Sequence, residues 1–146
     1  MSTHESTDVA SEPQPLRVLV YSDDLRTRAQ VLRALGRRPA VDLPFLEYTE
    51  VATEPMVIRE MDRGGFDLVI LDGEAVPAGG MGVARQLKDE IYRCPPIIVL
   101  LGRPQDAWLA TWSRAEAAVS HPIDPRALAD VAATLLRERL ARRLSA

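Results

Sequence analysis

The apolar positions of this chain fall into two kinds of stretch. Short unbroken runs alternate with longer stretches in which apolar residues recur at helical spacing. Leu68-Val69-Ile70-Leu71 is the sharpest of the short runs. Four apolar residues in succession suit a strand buried on both faces, as in the middle of a parallel sheet. The run ends abruptly in Asp72-Gly73. A carboxylate therefore stands at the carboxyl end of the strand, where open α/β sheets gather their ligands.

The same reading extends along the chain. Leu16 to Tyr21 predicts a first strand that ends in Ser22-Asp23-Asp24. Leu25 to Leu35 predicts a helix, with Leu25, Ala29, Leu32 and Leu35 inward, Asp24 as N-cap and Gly36 as the stop. Val41 to Tyr48 predicts an irregular second strand, where Pro44 implies an edge position or a break. Pro55 to Arg63 predicts a helix that buries Val57, Ile58 and Met61 and ends at Gly64-Gly65. After the Leu68–Leu71 strand and a loop of small residues from Gly73 to Gly79, Gly80 to Tyr92 reads as a third helix, with Val83, Ala84, Leu87 and Ile91 inward. Pro96 to Leu101 is a second doubly buried strand, and Arg103-Pro104 opens a helix carrying Trp108 and Trp112. Ala117 to Ser120 is a short last strand. The final helix has Asp124 as cap, Pro125 at its first position and a stripe of Leu128, Val131, Ala132, Leu135, Leu136 and Leu140.

Five strand–helix units in succession mean a parallel sheet with helices on both faces. Right-handed crossovers leave few topologies, and at this length the leading one is flavodoxin-like α/β, a five-stranded sheet in the order 2-1-3-4-5. Residues 1–15 are polar and predict a disordered tail. Residues 16–144 make one domain, and the reading places no output domain after it. The 146 residues and 47% hydrophobic content allow one real core.

Charge and composition then remove whole classes of function. A net charge of −3 argues against nucleic acid as a partner. No apolar run approaches the roughly 18 residues of a membrane span, so direct insertion is not expected. The start lacks a basic segment and an apolar core, so it does not read as a signal peptide, and a cytoplasmic location follows. The single cysteine, Cys94, excludes an internal disulfide and a thiolate metal cluster, and it reads as an inert loop thiol. His4 and His121 are the only histidines, which leaves no His-rich metal site.

In the 2-1-3-4-5 order the first and third strands are neighbours at the topological switch point. Asp23 and Asp24 follow one, and Asp72 ends the other. Three converging carboxylates repel one another unless a cation or protons relieve them. Oxygen ligands with water are what Mg²⁺ takes, and a carboxylate beside it can attack a phosphoryl group. Each acid also has a plainer reading as a cap or turn residue, Asp24 above all. No glycine-rich phosphate loop follows the first strand, which weakens a nucleotide-binding reading.

With these residues in view, the chain from Leu16 to Leu140 resembles a receiver domain, the CheY-like phospho-acceptor module of two-component response regulators. The likeness is carried by Val18-Leu19-Val20-Tyr21-Ser22-Asp23-Asp24, Phe66 to Asp72, Pro96 to Leu101 and His121-Pro122-Ile123-Asp124. It implies Asp72 as phospho-acceptor in phosphorelay signalling, with Asp23, Asp24 and Asp72 as metal ligands. Gly80 falls where receivers open their third helix.

Two positions depart from the family pattern. Where receivers carry a Thr or Ser at the end of strand 4, this chain has Leu101, which has no donor. Where they carry a Lys before a proline, it has His121, either a partial stand-in or a strand-end histidine satisfied by backbone. The loop after Asp72 has Ala75-Val76 where Met-Pro is usual. Losing one pre-organised donor from such a site costs on the order of 3 kcal/mol of transition-state stabilisation. Slow phosphorylation and a scaffold without a working switch are therefore expected, with Mg²⁺ binding possible, weak or absent.

Trp108 and Trp112, four residues apart, would lie on one side of their helix, as core or as a partner surface. Arg139, Arg142 and Arg143 form a basic helix end, either solvated or docked on an acidic surface. The resulting expectation is no enzyme but an atypical stand-alone receiver that acts through protein binding. The alternative is a working single-domain response regulator phosphorylated on Asp72 by a histidine kinase. The chain is also similar to small orphan receivers of actinobacterial type. That likeness implies an accessory subunit of the proton-pumping NADH dehydrogenase, respiratory complex I, peripheral on the cytoplasmic side of the membrane.

Overall fold

The computed structural model describes residues 14–145. The expected disordered tail lies outside the described residues except for its last two positions. The sheet is parallel, and its strands run in the order β2-β1-β3-β4-β5, as the alternation of strands and helices requires. The strands are β1 (Leu16–Tyr21), β2 (Leu46–Val51), β3 (Leu68–Asp72), β4 (Ile97–Leu101) and β5 (Ala117–Ser120). The helices are α1 (Leu25–Leu35), α2 (Glu54–Arg63), α3 (Gly80–Glu90), α4 (Ala107–Ser113) and α5 (Pro125–Ser145).

Strand periodicity divides the core into two layers. Val18, Val20, Leu68, Ile70, Ile98 and Leu100 point to one face and pack with Val31 and Leu35 of α1 and with Leu128, Ala132 and Leu136 of α5. Their alternate neighbours Leu19, Tyr21, Val69, Leu71, Val99 and Leu101 point to the other face, against Val57 and Met61 of α2 and Val83, Ala84 and Leu87 of α3. Every residue of β3 and β4 is buried. This is why those two strands read as unbroken apolar runs.

The structure corrects four local expectations. The second strand begins at Leu46 rather than Val41, and Val41 is 87% exposed. Pro44 has no amide to give a ladder, and the chain turns there, with Leu43 N bonded to Ala40 O. As an edge strand, β2 is only half covered, so its apolar signal is weak. In α1 the buried stripe is Thr27, Val31 and Leu35, while Leu25 is exposed. Helix α3 ends at Glu90, two residues early, because Ile91 is extended and Arg93 takes a left-handed backbone before Pro95-Pro96. Finally, Arg103-Pro104 opens only a 3₁₀ turn, Pro104–Asp106, and α4 starts at Ala107.

At the amino end of the sheet, Asp67 is 3% exposed. It accepts from Arg17 N at 2.9 Å and pairs with Arg143 at 2.9 Å and Arg139 at 3.4 Å. These bonds fasten the end of α5 to the entry of β3. Among the described residues, no helix is long and apolar enough to cross a membrane.

Candidate functional site

The carboxyl edges of β1 and β3 meet in a cavity of ≈ 410 Å³ lined by Asp23, Asp24, Thr27, Asp72, Glu74, Gly102 and His121. Asp72 is the last residue of β3 and is 4% exposed. Both of its oxygens are held. Oδ2 accepts from Ser22 Oγ at 2.7 Å, and Oδ1 accepts from the Glu74 backbone amide at 2.9 Å. Ser22 is fully buried, and its Oγ also accepts from Asp24 N at 3.0 Å. Arg28 fixes this corner from α1, donating to the Ser22 carbonyl at 2.7 Å while pairing with Glu50.

The three acids expected as metal ligands are treated differently by the fold. Asp72 sits at the bottom of the cavity as expected. Asp23 points across the mouth, where Oδ1 accepts from Val76 N at 3.3 Å. Asp24 lines the cavity and is also the N-cap that its position before Leu25 predicts. Its Oδ1 accepts from Arg26 N at 2.8 Å and caps α1, and its residue is exposed. The group that touches Asp72 from the end of β1 is a hydroxyl, Ser22. Among the described residues, no group of three or more Asp, Glu, His or Cys is placed to hold a metal ion. Ser22 Oγ already donates to Asp72 and Asp24 Oδ1 is engaged at the helix start, which leaves Asp23 and Asp72 as the acids that would hold Mg²⁺.

The two departing positions are placed as expected, at the ends of β4 and β5. Leu101 is 2% exposed and packs in the second core layer, so it offers the cavity no donor. His121 has its backbone amide on Leu101 O at 2.7 Å, and its Nε2 lies 3.5 Å from Asp72 Oδ1. That separation is too long for a hydrogen bond. Nε2 is buried without a hydrogen-bond partner among the described residues.

Four further residues shape the site. The Glu74 carboxylate lies over Gly102, where a Cβ would stand 2.4 Å from it, so a larger residue there would push that flexible side chain aside. A Cβ at Gly80 would meet the Asp72 carbonyl at 2.6 Å, which explains the glycine that opens α3. Tyr21 donates to Ala78 O at 2.6 Å, and burial, then the charges of Glu54, Asp23 and Asp72, push its phenol up. Of these, Glu74 could have been noticed in the sequence as an acid two residues beyond Asp72. Ser22 likewise stood in plain view before two acids.

Away from the cavity, both tryptophans are on the surface. Trp108 is 66% exposed and Trp112 44% exposed. Arg85 lies over the Trp112 ring at 5.0 Å and donates to its carbonyl at 2.7 Å. Two of the three basic residues at the end of α5, Arg139 and Arg143, pair with Asp67 of their own chain, as described above.

No protein-family model matches the chain. A response regulatory protein of Mycobacterium tuberculosis strain H37Rv is 67% identical over 122 residues, 84% of this chain and 92% of the relative. Its counterpart in strain CDC 1551 matches to the same extent. Among solved structures, the chemotaxis response regulator CheY4 of Vibrio cholerae superimposes with a TM-score of 0.69, at 18% identity, over 84% of this chain and 99% of that one. The signal receiver domain of an HD domain-containing protein from Pseudomonas fluorescens Pf-5 gives 0.73, at 17% identity, over 93% and 97%. At such identities the structural matches speak for the fold, which is that of a receiver.

Proposed function

The chain belongs to the response-regulator family, and from that premise we propose that it is an atypical receiver whose output passes through protein binding instead of a phosphorylation switch. The observation that carries this reading is the Ser22–Asp72 hydrogen bond, 2.7 Å long and buried. It ties up one oxygen of the family's acceptor with a neutral donor. Leu101 then removes the hydroxyl that would take up a phosphoryl oxygen. Each missing donor, the hydroxyl at Leu101 and the lysine at His121, costs on the order of 3 kcal/mol of transition-state stabilisation. Two such losses slow phosphorylation by roughly four orders of magnitude.

The surface that remains for output is the exposed Trp108–Trp112 face of α4, with Arg85 stacked on it. Tryptophan and arginine are enriched where binding energy concentrates. The partner we favour is a subunit of the proton-pumping NADH dehydrogenase, which would keep the chain on the cytoplasmic side of the membrane without entering it. Support for that partner comes from the likeness to small orphan receivers of mycobacteria. Affinity purification from native membranes tests it. Respiratory subunits should co-purify with the wild type and be lost with Trp108→Ala/Trp112→Ala. Recovery of no respiratory subunit by the wild type sinks this partner.

A second reading keeps the switch alive. His121 Nε2 is unpartnered and 3.5 Å from Asp72 Oδ1, near where a receiver's lysine would act. In its protonated form it could hold a phosphoryl oxygen on Asp72. Intact mass after incubation with acetyl phosphate and Mg²⁺ separates the two readings. An adduct on wild type and none on Asp72→Ala supports the working regulator, and a kinase then becomes the partner to find. No adduct on the folded wild type supports the binding module.

A further inference from the structure

The amino end of the sheet, opposite the acidic cavity, holds a second recess of ≈ 660 Å³ whose walls are Arg93, Cys94, Glu116, Arg139, Arg142 and Arg143, with Pro96 beneath. We propose that this recess binds a small oligophosphate anion, of the class of inorganic tripolyphosphate or the phosphate tail of a nucleoside triphosphate. The inference does not depend on the binding-module reading, since it concerns the other end of the molecule.

Charge makes the first part of the case. The chain as a whole carries −3, yet four guanidinium groups from two separate segments converge here. The carboxylates nearby are already committed within the wall. Glu116 Oε1 accepts from Ile97 N at 2.7 Å, and its Oε2 accepts from Lys88 Nζ at 2.6 Å. Asp67 Oδ2 accepts from Arg17 N, so Arg139 and Arg143 share a single oxygen, Oδ1. Among the described residues, and with Arg142 left out of the balance, Arg93, Arg139, Arg143 and Lys88 face the carboxylates of Glu116 and Asp67, so an excess of positive charge remains. All the cations lining the recess itself are arginines, whose planar forks match phosphate oxygens two at a time.

Pre-organisation makes the second part. Asp67 is 3% exposed and fixes Arg139 and Arg143 before any ligand arrives. Arg93 has φ +55°, a left-handed backbone that costs a side-chain-bearing residue, and its guanidinium lies over the Tyr92 ring at 5.3 Å. Such backbone outliers gather at ligand sites. The carbonyl end of α5 opposes an anion. The ligand must therefore be gripped by the guanidinium forks, and several phosphate groups are needed to engage several forks. One orthophosphate is too small to span a recess of this size.

The test is calorimetric titration of the full chain at low ionic strength with sodium tripolyphosphate, ATP and orthophosphate. The variant is Arg93→Gln/Arg142→Gln, which leaves both Asp67 pairs in place, and its melting temperature checks the fold. Cys94 gives a local reporter, because it is partly buried in the recess wall and burial pushes its thiol up. Expected are saturable tripolyphosphate binding that weakens with salt, at least about tenfold weaker binding by the variant, orthophosphate weaker still, and slower modification of Cys94 at saturation. Equal affinity for ATP and tripolyphosphate assigns recognition to the phosphate chain, and tighter ATP binding adds a nucleoside contact. Absence of saturable tripolyphosphate binding overturns the proposal. So does equal affinity in the variant or an unchanged Cys94 rate.

Discussion

Ser22 Oγ donates to Asp72 Oδ2 across the β1–β3 junction at 2.7 Å, and both residues are buried. The bond joins the corner held by Arg28 to the end of the central strand. Ser22→Ala strands one oxygen of a buried carboxylate and also removes the acceptor of Asp24 N. A buried polar group left without its partner costs about 1–3 kcal/mol. Urea unfolding should show a lower midpoint with an unchanged slope. A midpoint within error of wild type would mean that the hydroxyl is not holding the carboxylate.

The base of the sheet should be comparably sensitive. Asp67→Ala removes the shared partner of Arg139 and Arg143 and leaves Arg17 N without its acceptor. Both guanidinium groups are partly solvated, so the loss is smaller than for a fully buried ion pair. A destabilisation of about 2 kcal/mol is expected, chiefly from the orphaned amide and the freed helix end. Amide exchange should locate it, with protection falling first in the last turns of α5 and at the start of β3.

Tyr48 gives a pH signature on the opposite edge. Its hydroxyl donates to Gly36 O at 2.5 Å, and burial pushes its pKa from 10.0 up to about 12. Below pH 10 the phenol is neutral in both folded and unfolded chains, so it gives stability no pH dependence there. Between pH 10 and 12 the unfolded chain loses the proton while the folded chain keeps it. Stability therefore falls as pH rises through that window, by on the order of 2 kcal/mol. Phenolate absorbance should show one tyrosine titrating near pH 12, and Tyr48→Phe should remove both that step and part of the alkaline loss.

These residues also show what the sequence made legible. Strands β3 and β4 are buried on both faces, so their unbroken apolar runs placed them within a residue of their true bounds, and the sheet order followed from alternation. Strand β2 is an edge strand, half-exposed and preceded by Pro44, so its pattern is mixed and it was placed several residues early. Asp72 was legible because a lone acid ends an apolar run. Asp24 was legible as the N-cap because it stands directly before the first helical residue, Leu25. Ser22 carried no apolar or charge signal, and its bond to Asp72 spans fifty residues of sequence. The Asp67 clamp was hidden for the same reason: its arginines lie more than seventy residues away.

If Ser22, Leu101 and His121 are what silence the site, restoring donors and charge at all three should revive it. Ser22→Asp alone places a second carboxylate beside buried Asp72. Two like charges in contact repel unless a cation relieves them. The single variant should therefore be less stable than wild type without metal and regain melting temperature as Mg²⁺ is added, because an ion that binds only the folded state stabilises it by mass action. Wild type, with a neutral hydroxyl there, should show little such shift. Leu101→Thr then supplies a hydroxyl at the end of β4, and His121→Lys supplies a permanent cation at the end of β5. With donors worth on the order of 3 kcal/mol each, the triple variant should take up phosphate from acetyl phosphate orders of magnitude faster than wild type. Intact mass and loss of the adduct in an added Asp72→Ala change would identify the acceptor. A triple variant that binds Mg²⁺, folds and still forms no adduct would shift the blame to Glu74, whose carboxylate already covers Gly102, and Glu74→Gln would be the change to add.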